Sequence, residues 1–248
     1  MHRFLFLPII LFLFLSCNPE WGGTCFTSLG KEITREINTD DFKNIEIYDL
    51  FYVYLQPDTV NKVVFKAGEN ILPKMKCEVK DSLLSIGDEN YCDFLNPYDK
   101  IPEVTIHFKN LENLLCYGQC HIYSVDTIRG ENISVQMKNK ISYADLTFDT
   151  KVTNFQLWNT TGEYFLRGKT SYAYIINAGT GYLYAFDLKI QDEVFVRQES
   201  TGHSYTQSGK IMQVQMRNNG NLYYMGTPDS VNIERIGGSG DVIQFLAR

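Results

Sequence analysis

A turn recurs through the second half of the chain at nearly constant spacing, and nothing else in the sequence restricts the fold as tightly. Blocks marked by Gly118, Ile141, Gly162, Gly181, Gly202, Gly220 and Gly240 follow one another at intervals of 23, 21, 19, 21, 18 and 20 residues. A period near 20, with Gly or Asn at the corner and an aromatic two or three places later, predicts a β-solenoid. Each coil supplies short strands whose backbone groups pair with the coils before and after, about 4.8 Å away. No coil buries its inward side chains alone, so stacking makes the core. Gly at each corner would permit positive φ where the chain turns within one or two residues. Tyr143, Tyr164, Tyr184, Tyr205 and Tyr223 then form one inward ladder of offset rings, and seven coils give about 34 Å of stacked core.

The region before the repeat is strand-like but less regular. Alternating runs such as Tyr52-Val53-Tyr54-Leu55 and Val104-Thr105-Ile106-His107-Phe108 are separated by turn formers such as Pro57-Asp58, Gly68-Glu69-Asn70 and Lys80-Asp81-Ser82. Sixteen Tyr and 16 Phe against 2 Trp favour strands, and apolar residues at helical spacing are almost absent. The fold class expected is all-β, with residues 38–110 as an N-terminal β part and 111–248 as solenoid coils. A formal charge of -6 leaves no basic footprint for nucleic acid.

Residues 1–16 read as a signal peptide. One positive charge at Arg3 precedes an apolar run from Phe4 to Leu15, too short to span a hydrocarbon core that takes about 20 helical residues. Leu13-Phe14-Leu15-Ser16-Cys17 resembles a bacterial lipobox, which implies that Cys17 is acylated, with chains such as palmitate, and becomes the new N-terminus. Each buried methylene of such a chain contributes about 0.8 kcal/mol of membrane affinity. Residues 17–37 then serve as lipidated Cys and tether. The resemblance to lipoproteins also implies that Asn18, standing where Asp retains a lipoprotein in an inner membrane, favours the outer membrane.

Five cysteines remain once Cys17 is set aside: Cys25, Cys77, Cys92, Cys116 and Cys120. Three readings stay open for them. Some pair forms a disulfide; Cys116, Cys120 and His121 begin a metal site; or they are small buried residues. Extended, positions 116 and 120 lie about 13 Å apart, unless Gly118 bends the chain between them.

Other chemistry finds little support. Arg197, Arg217 and Arg235 are spaced 20 and 18 and would align on an outer face as a charged groove, as the basic cluster of a polysaccharide-cleaving β-helix, or as solvated surface. Gly237-Gly238-Ser239-Gly240-Asp241 approaches a calcium nonapeptide, but Asp241 falls one position early and no tandem copies follow. Neither a Gly-x-Ser-x-Gly elbow nor a phosphate or dinucleotide loop occurs. No catalytic residue, metal or cofactor is assigned. Tyr172, Tyr174, Tyr182 and Tyr224 exceed what one inward ladder needs, so two readings stand: some form an outward surface suited to sugar rings or an envelope or surface protein, or they pack under the N-terminal β part and finish the core.

Three segments carry a family resemblance: Gly237-Gly238-Ser239-Gly240-Asp241, Tyr223-Tyr224-Met225-Gly226-Thr227-Pro228 and Phe42-Lys43-Asn44-Ile45-Glu46-Ile47. They resemble the autotransporter adhesin head domain, also called the GIN domain, over about residues 38 to 245. The family's Gly-Ser-Gly-Asp corner survives only at 238–241 and drifts elsewhere, for instance to Gly179-Thr180-Gly181-Tyr182. The resemblance implies a right-handed parallel β-helix and surface attachment. The expectation for function is a lipid-anchored, non-catalytic envelope module that binds a ligand or partner; a structural envelope role and a polysaccharide-active enzyme are the alternatives.

Overall fold

The computed structural model describes residues 29–89, 101–138 and 141–246. The signal segment, Cys17, Cys25 and Cys92 lie outside them. The described chain is 69% strand and coils into a β-solenoid of about 6 turns with about 21 residues per turn. One turn fewer is present than the corner count suggests.

Strands follow in the order β1 Glu32–Asn38, β2 Asn44–Ile47, β3 Phe51–Pro57 and β4 Lys62–Gly68, then a 3-10 turn at Leu72–Lys74. Next come β5 Met75–Lys80, β6 Leu83–Asp88, β7 Glu103–Phe108, β8 Asn113–Cys116, β9 Cys120–Ser124 and β10 Ile128–Met137. The long β11, Ile141–Gly179, winds around several corners. It is followed by β12 Tyr182–Ala185, β13 Leu188–Ser200, β14 Ser204–Gln207, β15 Ile211–Met216, β16 Leu222–Met225, β17 Ser230–Arg235 and β18 Val242–Gln244.

Strand parity builds the core. In β3, Phe51, Val53 and Leu55 are buried while Tyr52, Tyr54 and Gln56 face outward; β7 does the same with Val104, Ile106 and Phe108. Each such aliphatic or Phe side chain contributes about 1.5–3 kcal/mol on leaving water.

Spatial order departs from chain order at the N-terminal end. β2 pairs in parallel with both β6 and β8, and β3 with both β7 and β9. The β2–β3 coil therefore lies between the β6–β7 coil, which comes later in the chain, and the β8–β9 coil. Stacking runs continuously across residue 110. Antiparallel strands close this end: β4 pairs with β7 and β1 with β4 on one side, and β5 pairs with β6 on the other. Antiparallel capping ends the parallel stack and protects its edge. At the opposite end every residue of β17 is exposed, including Val231 and Ile233, which continue the columns of buried Met212 and Val214.

The corner glycines are needed for a reason other than the one expected. Gly162 has a positive φ of 146°, but Gly181, Gly202, Gly220 and Gly240 do not require the left-handed region. Close approach decides. A Cβ on Gly202 would sit 2.3 Å from the carbonyl oxygen of Gly181, one on Gly220 would sit 2.1 Å from that of Gly202, and one on Gly240 2.4 Å from that of Gly220. Each corner rests on the backbone of the corner below, with no room for a side chain. Beneath this stack lies a buried polar network. The Asn177 Nδ2 donates to Gly181 O (3.1 Å) and Ser204 Oγ (2.9 Å), Ser204 Oγ donates to Gln198 Oε1 (2.6 Å), and Gln198 Nε2 donates to Gly202 O (2.7 Å).

Cys116 and Cys120 are joined by a disulfide across the Gly118 turn, their Cα atoms 7.0 Å apart. Both cysteines are also fully buried in the core, so the disulfide and buried-residue readings coincide for this pair, and the bridge takes both sulfurs from metal ligation. His121 follows inward-facing Cys120 and so points to the opposite side. Cys77 is a free thiol, and burial pushes it up to about 11.

Candidate binding face

Outward positions on one side of the solenoid carry a column of aromatic rings. Strand register places Tyr52 beside His121, His121 beside Tyr143, Phe165 beside Tyr184, Tyr184 beside Tyr205, and Tyr205 beside Tyr223. Ring centroids along it are 4.9 Å (Tyr52–His121), 6.0 Å (His121–Tyr143), 5.7 Å (Tyr143–Phe165), 4.9 Å (Phe165–Tyr184), 5.2 Å (Tyr184–Tyr205) and 5.0 Å (Tyr205–Tyr223). The last three pairs lie nearly parallel, within 13°. A seven-member column at strand spacing is about 29 Å long.

A partial second row widens the face. Tyr54 stacks on Tyr123, which contacts Tyr143. Tyr182, His203 and Tyr223 meet edge to face. Arg167 fixes its middle: the guanidinium donates to both carboxylate oxygens of Asp145 (2.8 and 3.1 Å) and to Asp187 (3.1 Å), and lies 5.6 Å from the Phe165 ring. Partial burial raises the phenols of Tyr54, Tyr123, Tyr143, Tyr184 and Tyr205 above their ordinary value and lowers His121. Burial thus favours the uncharged form of each of these groups, and the column offers apolar ring surface with polar edges reaching solvent.

The ladder expected from sequence faces the other way. Tyr143, Tyr184, Tyr205 and Tyr223 are outward, and Tyr164 is not in their row. Tyr164 is fully buried, its hydroxyl 2.7 Å from Ser142 Oγ, and Phe165 takes the outward position. Parity explains the substitution, since Tyr164 pairs with buried Leu183 and Phe165 with Tyr184. His121, weighed from sequence only as a metal ligand beside Cys116 and Cys120, belongs to the face together with Tyr52 and Tyr123. Their signal is the same parity read across coils.

The candidate surface residues are dispersed. Tyr182 borders the column and is exposed. Tyr172 and Tyr174 are exposed on another side, where Tyr174 stacks on Phe195 at 4.7 Å. Tyr224 packs against the core. The three arginines do not fall in one column, because Arg197 is in register with Gln215 and Glu234, whereas Arg235 is in register with Met216. Arg197 is held by Glu199 and lies 5.7 Å from the Trp158 ring. Arg235 bonds Asp241 and the Gly240 carbonyl. Arg217 follows β15, with its backbone N–H bonded to Gln198 O. Asp241 of the Gly-rich segment is thereby engaged by Arg235.

Residues 41–228 match the family model described as putative auto-transporter adhesin, head GIN domain. The chain belongs to this family. Solved structures share the fold of this chain at low identity. A putative adhesin from Bacteroides fragilis is 18% identical, with a TM-score of 0.78 over 87% of this chain and 97% of that one. A putative adhesin from Parabacteroides merdae gives 16% and 0.64 over 88% and 97%. A protein from Parabacteroides distasonis titled a putative lipid binding protein gives 18% and 0.63 over 88% and 98%. No curated protein matches the chain. Among the described residues of this GIN domain no helix is long and apolar enough to cross a membrane.

Proposed function

We propose that this GIN domain is the adhesive head of an envelope lipoprotein, a non-catalytic module anchored through acylated Cys17 to the outer membrane, whose aromatic column docks a glycan or surface protein. The observation that carries the reading is the column itself. Seven rings in consecutive coils stand on the outside of a fold whose core is already filled from the inside, so the fold's packing does not demand them there. Rigid rings with polar edges bind at low entropic cost, which suits recognition of sugar rings or protein surfaces. The adhesin-named family supports this use. A polysaccharide-cleaving role is disfavoured by the state of its candidate bases, since Arg197 and Arg235 are held in structural ion pairs in different columns.

The test uses the intact protein in detergent on glycan and matrix-protein arrays, beside a Tyr184→Ala/Tyr205→Ala variant. Binding by the wild-type chain and its loss in the variant are expected. Absence of binding on both arrays, or binding indifferent to the double substitution, refutes the aromatic face as the adhesive surface.

A further inference from the structure

A second face has different chemistry. Register aligns Asn44, Asn113, Ser134 and Asn154 in one outward column, and Glu46, Leu115, Gln136 and Gln156 in the next. Amides and one hydroxyl fill the first column, and amides make up half of the second. The β5–β6 hairpin borders this face, and with it encloses an open groove of about 850 Å³ lined by Asn113, Leu115, Ser134, Gln136, Glu78 and Lys80. A second trough of about 670 Å³ adjoins it, sharing Asn113 and Ser134 and extending to Asn132 and Asn154.

We propose that this groove and trough form a binding site for a neutral oligosaccharide, separate from the aromatic column. Three observations carry it. First, the donor set is neutral: the side chains of Ser134 and Gln136 have no hydrogen-bond partner among the described residues, and an amide both donates and accepts, as vicinal hydroxyls require. Second, surrounding charges are occupied or balanced. Lys43 pairs with Glu112 at 2.8 Å, Glu46 accepts the Tyr48 hydroxyl, Arg129 and Glu131 of the trough lie within 4.0 Å of Asp149 and Lys151, and the groove's Glu78 and Asp81 are matched in number by Lys80 and Lys138. Third, a ring platform stands at the corner that follows these strands: Tyr48 and Tyr117 stack at 5.4 Å and are both exposed, with the Lys138 ammonium 5.9 Å over Tyr117. Such a stacked pair offers a flat apolar surface to a sugar ring. A peptide finds no free edge on the floor, because β2, β8 and β10 are paired on both sides, which removes strand addition as a binding mode.

The experiment is calorimetric titration of the full-length protein in detergent with maltohexaose, cellohexaose, mannohexaose, xylohexaose and chitohexaose. At least one is expected to bind. Gln136→Ala and Asn113→Ala should each weaken that binding about 5-fold, the loss of one hydrogen bond, and Leu115→Arg, which fills the groove, should abolish it. Tyr205→Ala should leave it unchanged. These positions are outward, and far-UV circular dichroism confirms that each variant is folded. No binding of any hexasaccharide, or binding that survives both Gln136→Ala and Leu115→Arg, overturns the proposal. A chain that adheres through Tyr205 yet binds no hexasaccharide overturns the groove and leaves the aromatic face standing.

Discussion

Substituting Gly202 by Ala tests why glycine occupies the corners. A Gly→Ala change at a position with ordinary backbone angles stabilises by about 0.4–1 kcal/mol, because the unfolded chain loses freedom. Gly202 has ordinary angles, yet its added methyl would lie 2.3 Å from Gly181 O, 2.7 Å from Thr180 O and 2.8 Å from Gly181 C. All three are backbone atoms in a paired coil and cannot swing aside. Relief requires a shift of about 0.7 Å to reach the 3.0 Å that real contacts respect, which costs about 1–3 kcal/mol as overpacking. It also strains the bonds from Gln198 Nε2 to Gly202 O (2.7 Å) and from Gly202 N to Ser200 Oγ (2.9 Å), with about 1 kcal/mol at stake in each. Net destabilisation of about 2–4 kcal/mol follows, lowering Tm by about 4–16 °C for a chain of this size. Gly237 is the control: its only close neighbour would be Arg217 O at 3.6 Å, ordinary contact, so Gly237→Ala should be neutral or slightly stabilising. The assay is thermal unfolding of both variants by circular dichroism. Gly202→Ala with an unchanged or raised Tm would show that close approach is not what the corner glycines serve.

The buried network beneath the corners gives a second prediction: Ser204→Ala removes the donor to Gln198 Oε1 and leaves Asn177 Nδ2 with Gly181 O alone and should cost about 1–4 kcal/mol, whereas a loss under about 0.5 kcal/mol in denaturant titration would contradict it. The aromatic column predicts alkaline sensitivity. Burial places the Tyr143, Tyr184 and Tyr205 phenols above their ordinary 10.0 in the fold, so their contribution is complete below about pH 10 and is lost as pH rises through the raised values. Tm should fall above that point while phenolate absorbance at about 295 nm appears late, and native phenols titrating at or below their unfolded value would refute the placement. Cys17→Ser should move the protein from the membrane fraction to the soluble fraction, and persistent membrane association refutes lipid anchoring through that residue.

The solenoid is legible because its constraint is periodic: corners every 18 to 23 residues, Gly at all but Ile141 among the markers, record corners resting on corners. The expectation of positive φ at the corners holds at Gly162 and fails at Gly181, Gly202, Gly220 and Gly240, because sequence spacing reports that a side chain is forbidden and not which clash forbids it. Tyr164 was assigned to the ladder by residue type, whereas strand parity in Tyr164-Phe165 decides which ring faces out, and buried Leu166 marks that parity two residues on. The N-terminal coils were harder to see. Their spatial order, with β2–β3 inserted between β6–β7 and β8–β9, produces no constant period along the chain. The disulfide required Gly118 to turn the chain between Cys116 and Cys120, and extended spacing alone argued against it.

Inside and outside of the coil obey different rules, and this separates fold from function in the molecule. Inward positions must be apolar or paired, and corners must be small, because the coil below is always about 4.8 Å away. Outward positions face no such demand beyond compatibility with a strand. A row of rings there contributes about 0.5–1.5 kcal/mol per stacked pair, so Tyr205→Ala, which loses Tyr184, Tyr223 and the edge of Phe186, weakens both the fold and any surface it forms. Tyr205→Phe keeps the stacking and removes only the hydroxyl. If adhesion uses the rings' faces, the Phe variant should bind like wild type and the Ala variant should not, at a temperature where both are folded. Loss in both variants would assign the contact to the phenolic edge, and loss in neither would return the column to a stabilising role alone.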